Sequence, residues 1–237
     1  MTRTAATHYI IAIGSTQPNQ VKNIVELEPG RVSEVLEQPG SFRYAGWDLQ
    51  TADQARIENG EYLELNNGAR NRIRLYEDGT LVVREAIDSW FLGWGKIDDK
   101  FPDDPQVHAL AIIEFTAAAV HLYGRILPFL AKNPEQLAFH IEINGGKVGE
   151  KCMYVVPFKV STVGWTFSEN QSALTKGNPK FDGVVSADDL EKDPDRFGFE
   201  ILQRLFLFFS VPANKIPYTN ETDGIRRIDI AEIRAIT

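Results

Sequence analysis

The segment 69–86, ARNRIRLYEDGTLVVREA, constrains the fold more than any other part of the chain. It reads as two strands of alternating apolar and polar residues joined by a short turn that contains glycine. A type I turn over Glu77 and Asp78, with Gly79 in the left-handed conformation, makes Tyr76 face Thr80. This turn fixes the register of the whole hairpin.

Counting back from the turn predicts which side chains share a face, because successive residues of a strand point to opposite sides. Leu75 pairs with Leu81 and Arg72 with Arg84. The predicted core face is Ile73, Leu75, Leu81 and Val83. The predicted opposite face, the arginine face, is Arg70, Arg72, Arg74 and Arg84.

The arginine face has two interpretations. Alternate arginines on a strand lie roughly 7 Å apart, near the spacing of successive phosphates, and guanidinium groups bind phosphate in a bidentate way. Alternatively, Glu61, Glu64 or acids of a neighbouring strand neutralise the arginines, which gives an ordinary solvated face. An acidic chain favours the second interpretation, and the anion site is its leading alternative.

The rest of the chain predicts an α+β fold: a single domain over residues 1–237 with a mostly antiparallel sheet and two main helices. Residues 147–237 are expected to complete the sheet and add the second helix. The expected elements are a strand at 8–13, a short helix at 31–37, a long buried helix at about 106–127, strands at 136–146 and within 152–167, a helix opened by Asp193 and Pro194, and a final strand in which Ile228 and Ile230 alternate.

Charge and cysteine content limit the classes of partner and compartment. The chain has 237 residues and a formal net charge of −8, so no diffuse positive field attracts nucleic acid or an anionic membrane. One cysteine, Cys152, excludes an intramolecular disulfide and fits the cytoplasm. No metal-ligand spacing, signal peptide or membrane span is recognised, so we expect no metal, no cofactor and no membrane.

Two features, in this order, resemble the region that follows the AlbA-like DNA-binding domain in bacterial regulatory and ATP-binding proteins, a family related to the Schlafen core. They are the strand HYIIAIGST and the hairpin RIRLYEDGTLVVREAI, followed by a long helix and a strand. The resemblance covers residues 8–146. The family strand usually carries arginine where this chain has Ala12. The resemblance implies an appended, non-catalytic module more than DNA binding itself.

Sequence motifs of catalysis are absent, and no catalytic residue is assigned. One helical pair is the exception to consider: Glu114 and His121 are seven residues apart and share a face of the long helix. They could act as acid and base or as two metal ligands. The favoured alternative is that the two side chains, beside the core, form hydrogen bonds with each other or with solvent. His140 is expected to be a strand surface residue.

The segment DSWFLGWG, residues 88–95, concentrates large apolar side chains beside two glycines. Trp90, Phe91 and Trp94 either fold back as a lid over the core or present an exposed anchor for a partner or a second subunit.

The favoured function is therefore a non-catalytic regulatory or protein-interaction module, with self-association or a protein partner, in a nucleic-acid-associated bacterial system. The alternatives are an enzyme using the Glu114 and His121 pair and a polyanion-binding domain.

Overall fold

The computed structural model describes residues 8–22, 32–43, 49, 55–58, 61–67, 71–87, 106–144, 147–148, 151–156 and 178–236. In these ranges the strands are β1 His8–Ser15, β2 Arg56–Glu58, β3 Tyr62–Asn67, β4 Asn71–Tyr76, β5 Leu81–Ala86, β6 Gln106–His108, β7 Gln136–Asn144, β8 Lys147–Val148, β9 Lys151–Cys152, β10 Tyr154–Val156, β11 Lys180–Ser186, β12 Thr219–Thr222 and β13 Ile225–Ile228. The helices are α1 Val32–Glu37, α2 Ala109–Ile126, α3 Ala187–Lys192, α4 Pro194–Leu207 and α5 Ile230–Arg234. Single 3-10 turns lie at Leu127–Phe129 and Ala213–Lys215.

The main sheet has seven strands in the order β11-β7-β1-β5-β4-β3-β2. Each neighbouring pair in it is antiparallel. Three two-stranded sheets accompany it: β10 with β6, β12 with β13 and β8 with β9. The two longest described helices are α2 and α4, with 18 and 14 residues. The prediction of an α+β fold with a mostly antiparallel sheet and two main helices is confirmed.

The β4–β5 hairpin has the predicted register. Leu75 pairs with Leu81 and Arg72 with Arg84. The backbone nitrogen of Tyr76 donates to the oxygen of Thr80 at 2.9 Å, and Gly79 has φ of +87°. The left-handed glycine lets the chain reverse without strain, because it has no Cβ to collide with the backbone. The predicted core face is buried, and Arg72, Arg74 and Arg84 lie opposite it.

Odd-numbered side chains of β1 pack against α2. The hydroxyl groups of Tyr9 and Thr116 are 2.8 Å apart, and the rings of Tyr9 and Phe115 have centroids 5.3 Å apart. Ile11 is also buried. The long helix therefore lies across the centre of the sheet and covers one face of it.

The start of α2 differs from the expectation of about Gln106. Residues 106–108 are extended and pair in parallel with β10, so His108 precedes the helix instead of lying on it. The segment Ala109–Phe129 is long and apolar enough to cross a membrane, with a mean hydropathy of 1.4, but 83% of its apolar 18-residue stretch is buried inside the fold. That burial is typical of a core helix.

The expected final strand is wrong beyond Ile228. The strand β13 ends there, and Ile230 begins α5. The side chain of Asp229 accepts a hydrogen bond from the backbone nitrogen of Glu232 at 2.9 Å, which caps the new helix. An aspartate followed three residues later by glutamate is a helix-start signal, and here it overrides the apolar alternation.

Even-numbered side chains of β11, β7, β1, β5, β4 and β3 share the face of the main sheet that α2 does not cover, and we call it the outer face. Across it, Ile10 of β1 lies between Arg84 and Glu142. In the next row, Ala12 lies between Val82 and His140. The antiparallel register therefore places charged residues on both sides of an apolar central strand.

We predict that alanine at Gly79 destabilises the fold more than alanine at Gly224. Both glycines have positive φ, which costs an L-residue about 1–2 kcal/mol. A Cβ at Gly79 would also lie 2.5 Å from Cδ2 of Leu130, whereas at Gly224 nothing lies within 4 Å. Overpacking adds about 1 kcal/mol or more. Urea unfolding of both variants measures the difference, and equal losses of free energy would contradict the close approach of Leu130.

Candidate functional site

Three of the four predicted arginines lie together on the outer face. Arg72 and Arg84 are direct cross-strand partners, and Arg74 follows Arg72 on the same side of β4. Directly opposed Cβ atoms are about 5 Å apart in an antiparallel pair. Arg70 lies outside the described residues. We call Arg72, Arg74 and Arg84 the arginine cluster.

Glu64 of β3 is the carboxylate that meets the arginine cluster. Its Oε2 lies 2.5 Å from Nε of Arg74 and 3.7 Å from Nε of Arg72. Its other oxygen accepts from Asn66 at 3.2 Å. Glu61, the other predicted partner, forms no ion pair with the cluster in the part of the chain that the structure describes. Among the described residues the predicted neutralisation is therefore present but incomplete, with one carboxylate for three guanidinium groups.

Arg84 is the arginine that Glu64 does not reach. Its Nη2 lies 3.1 Å from both ring nitrogens of His8, and its Nε is buried without a hydrogen-bond partner. Burial, followed by the positive charges of Arg72 and Arg74, lowers the pKa of Arg84 below its ordinary value. A guanidinium in this position is stabilised by any anion that reaches it.

Two tyrosines flank the arginine cluster on the side away from β1. The rings of Tyr62 and Tyr76 have centroids 5.2 Å apart, and the guanidinium of Arg74 lies 4.7 Å from the ring centroid of Tyr62. Stacking on an aromatic ring and pairing with Glu64 both hold Arg74 in place. Arg74 is thus engaged within the protein, whereas Arg72 and Arg84 are the members able to accept an external anion.

Acidic residues and a histidine occupy the other half of the outer face. Nδ1 of His140 lies 2.6 Å from Oδ1 of Asp182, and its Nε2 lies 3.4 Å from Oε2 of Glu142. Asp182 is largely exposed, with 74% of its side chain accessible. His140 is a strand surface residue, as predicted. We call His140, Glu142 and Asp182 the acidic cluster.

A shallow groove of about 480 Å³ runs between the acidic cluster and the end of β1. Small and apolar residues form its floor, including Ala12, Gly14 and Ala138. Val184, on the edge strand β11, is 57% exposed beside it. The groove gives the outer face an apolar region that is accessible from solvent.

Glu114 belongs to an ion pair with an arginine from another part of the chain. It is buried and forms a bidentate ion pair with Arg43, whose Nε and Nη2 lie 2.5 and 3.2 Å from its two oxygens. His121, seven residues on, instead pairs with Asp195 at 2.7 Å and packs edge-on against Phe42. The two side chains are held by separate partners, so the structure does not bring them together as an acid and base.

The aromatic segment predicted to anchor a partner lies outside the described residues, so Trp90, Phe91 and Trp94 stay a prediction. In the described ranges, no group of three or more histidine, cysteine, aspartate or glutamate side chains could hold a metal ion. The candidate site is therefore the outer face.

Two contacts of the outer face are missed by sequence reasoning. His8 lies against Arg84, and Asp182 binds His140 from a strand about forty positions away. A sequence signal existed for the first contact, because His8 and Ile10 are two positions apart on a recognisable strand and so point to the same face. The second had none, since the pairing of β11 with β7 is not encoded locally.

No family model, curated protein or solved structure matches this chain. The resemblance to the region after the AlbA-like domain therefore stays a prediction.

We predict that Arg43→Met strongly destabilises the protein, because it leaves the carboxylate of Glu114 buried without its charged partner. Removing one member of a buried ion pair costs about 3–5 kcal/mol. The double variant Arg43→Met/Glu114→Met should recover most of this loss, since no charge is then left buried.

Urea unfolding measures both variants. The control is Arg196→Met, which removes a partly exposed pair with Glu200 and should cost less than about 1 kcal/mol. If Arg43→Met lowered the free energy of unfolding no more than this control, the buried ion pair would not be needed for the stability of the fold.

Proposed function

We propose that this protein is a non-catalytic interaction module that binds an anionic group of a partner on its outer face. Arg72 and Arg84 form the binding pair. The observation that carries the proposal is their geometry: two guanidinium groups directly opposed on a sheet, of which Arg84 has no carboxylate partner among the described residues.

Electrostatics support a local site over a diffuse one. Like charges directly opposed on a sheet are destabilising, so an anion between Arg72 and Arg84 removes a repulsion as well as forming charge-assisted hydrogen bonds. The net charge of −8 opposes non-specific attraction of polyanions. A carboxylate or a single phosphate group is therefore the ligand chemistry that this pair fits.

A nucleic-acid-associated role is the narrower alternative. The tyrosines beside the cluster, Tyr62 and Tyr76, supply aromatic rings of the kind that stack on bases in single-stranded nucleic acid. Arg74 already covers the ring of Tyr62, which reduces the aromatic surface available for stacking on bases.

The enzymatic alternative loses its geometric basis, because Glu114 and His121 are paired separately.

We predict that Arg72→Gln/Arg84→Gln weakens binding of inorganic pyrophosphate by about tenfold or more, which corresponds to the loss of one charge-assisted hydrogen bond. Isothermal titration at low salt measures the dissociation constant. The thermal midpoint should stay equal or rise slightly, because a repulsion between like charges is removed.

The matched control is Arg196→Gln, which removes one positive charge from a partly exposed position on α4, away from the outer face. It should bind pyrophosphate as the wild type does. Equal affinity in the wild type and the double variant, or no binding by the wild type, would contradict the proposal. Strong retention of the wild type on single-stranded RNA at physiological salt, lost in the double variant, would favour the nucleic-acid alternative.

A further inference from the structure

The outer face carries charges of opposite sign on the two sides of β1. The arginine cluster lies on β4 and β5, and the acidic cluster on β7 and β11. Between them, Ile10 and Ala12 of β1 form an apolar line. A surface divided in this way is complementary to itself when a second copy faces it in the reversed sense.

We propose that the outer face docks against the outer face of a second copy, with a two-fold axis parallel to β1. The inference rests on the proposed function and names its partner: the anionic group bound by Arg84 is the carboxylate of Glu142 in the second copy. Self-complementary contact of one patch with itself is the rule for two-fold dimers.

The register of the strands decides the direction of the axis. A two-fold rotation about an axis parallel to β1 exchanges the strands on the left of β1 with those on its right. It leaves the position of each residue along the strand direction unchanged. Arg84 and Glu142 both flank Ile10, so each Arg84 faces Glu142 of the other copy. In the next row, Arg74 faces Asp182. An in-plane axis perpendicular to β1 would instead oppose arginine to arginine.

The apolar line supplies the centre of the contact. Side chains of Ile10 and Ala12 from both copies would meet along the axis, flanked by Val82 and Ala138. Two sheets in aligned packing lie about 10 Å apart with their strands about 30° from parallel. The axis superposes only the five strands from β11 to β4, because two strands lie on one side of β1 and four on the other. Five strands spaced by about 4.8 Å and about 20 Å long present on the order of 500 Å². That area is smaller than the roughly 800 Å² per partner of a standard interface and corresponds to a weak association.

One contact in this arrangement is unfavourable. Lys180 of β11 lies in the same row as Glu142, and the two-fold axis places it opposite Arg72 of the second copy. Lys180 is exposed at the beginning of an edge strand, so its long side chain can turn into solvent. Lys180→Glu should therefore strengthen the association, a gain that no general loss of folding could mimic.

The decisive experiment exchanges the charges between copies. Arg72→Glu/Arg84→Glu makes both sides of the face acidic, and Glu142→Lys/Asp182→Lys makes both sides basic. Each variant alone should be monomeric in sedimentation equilibrium, with a dimer dissociation constant raised by at least about tenfold. An equimolar mixture of the two should form a heterodimer, which requires that both are folded.

Two further measurements complete the test. Lys180→Glu should lower the dimer dissociation constant by several-fold, whereas Lys215→Glu, the same change on the 3-10 turn at Ala213–Lys215, should leave it unchanged. Inorganic pyrophosphate should dissociate the wild-type dimer, since it binds Arg72 and Arg84 and so competes with Glu142 of the second copy for Arg84.

The outcomes separate this inference from the proposed function. A monomeric wild type that binds pyrophosphate through Arg72 and Arg84 would overturn the dimer and leave the anion site intact. A dimer that persists in both charge-reversed variants, or is not restored by mixing them, would place self-association on another surface. Absence of both dimer and pyrophosphate binding would overturn both.

Discussion

The positions of the arginine cluster and the acidic cluster depend on the pairing of β1. This strand is hydrogen-bonded to β5 on one side and to β7 on the other. Its odd-numbered side chains, such as Tyr9 and Ile11, contact α2 or the core around it. Its even-numbered side chains, such as Ile10, face outward. A slip of one residue would exchange the two sets, so the burial of α2 and the layout of the outer face are fixed by one register.

A second constraint lies on the covered side of the sheet. The buried pair of Arg43 and Glu114 places a carboxylate on the buried part of α2 and ties the helix to the segment 41–43. Isolated charges are expensive to bury, so this helix is stable in its position only while Arg43 is aligned with it. A buried pair of this kind adds little net stability compared with apolar residues of similar volume, but the loss of one partner leaves an uncompensated buried charge.

Local signals predicted the parts of the fold that local chemistry determines. The glycine turn at Gly79 and the alternation beside it were sufficient for the hairpin register and for the common face of Arg72 and Arg84. The start of α2 was missed because residues 106–108 pair with a strand more than forty residues away. The partner of Glu114 was missed for the same reason, since Arg43 lies 71 positions earlier. The unequal sharing of Glu64 between Arg74 and Arg72, with Arg84 out of its reach, depends on distances that spacing alone does not give.

Fold stability alone does not account for the arginine cluster. The chain contains 33 acidic residues and 25 lysines and arginines, so a carboxylate opposite Arg84 would have been easy to place and would favour the sheet by a few tenths of a kcal/mol or more. Arg72 occupies that position instead, and the pKa of Arg84 is lowered by burial and by its charged neighbours. A repulsion kept on an accessible face, beside an apolar strand and opposite an acidic half, is the arrangement expected of a surface whose missing carboxylate comes from another molecule.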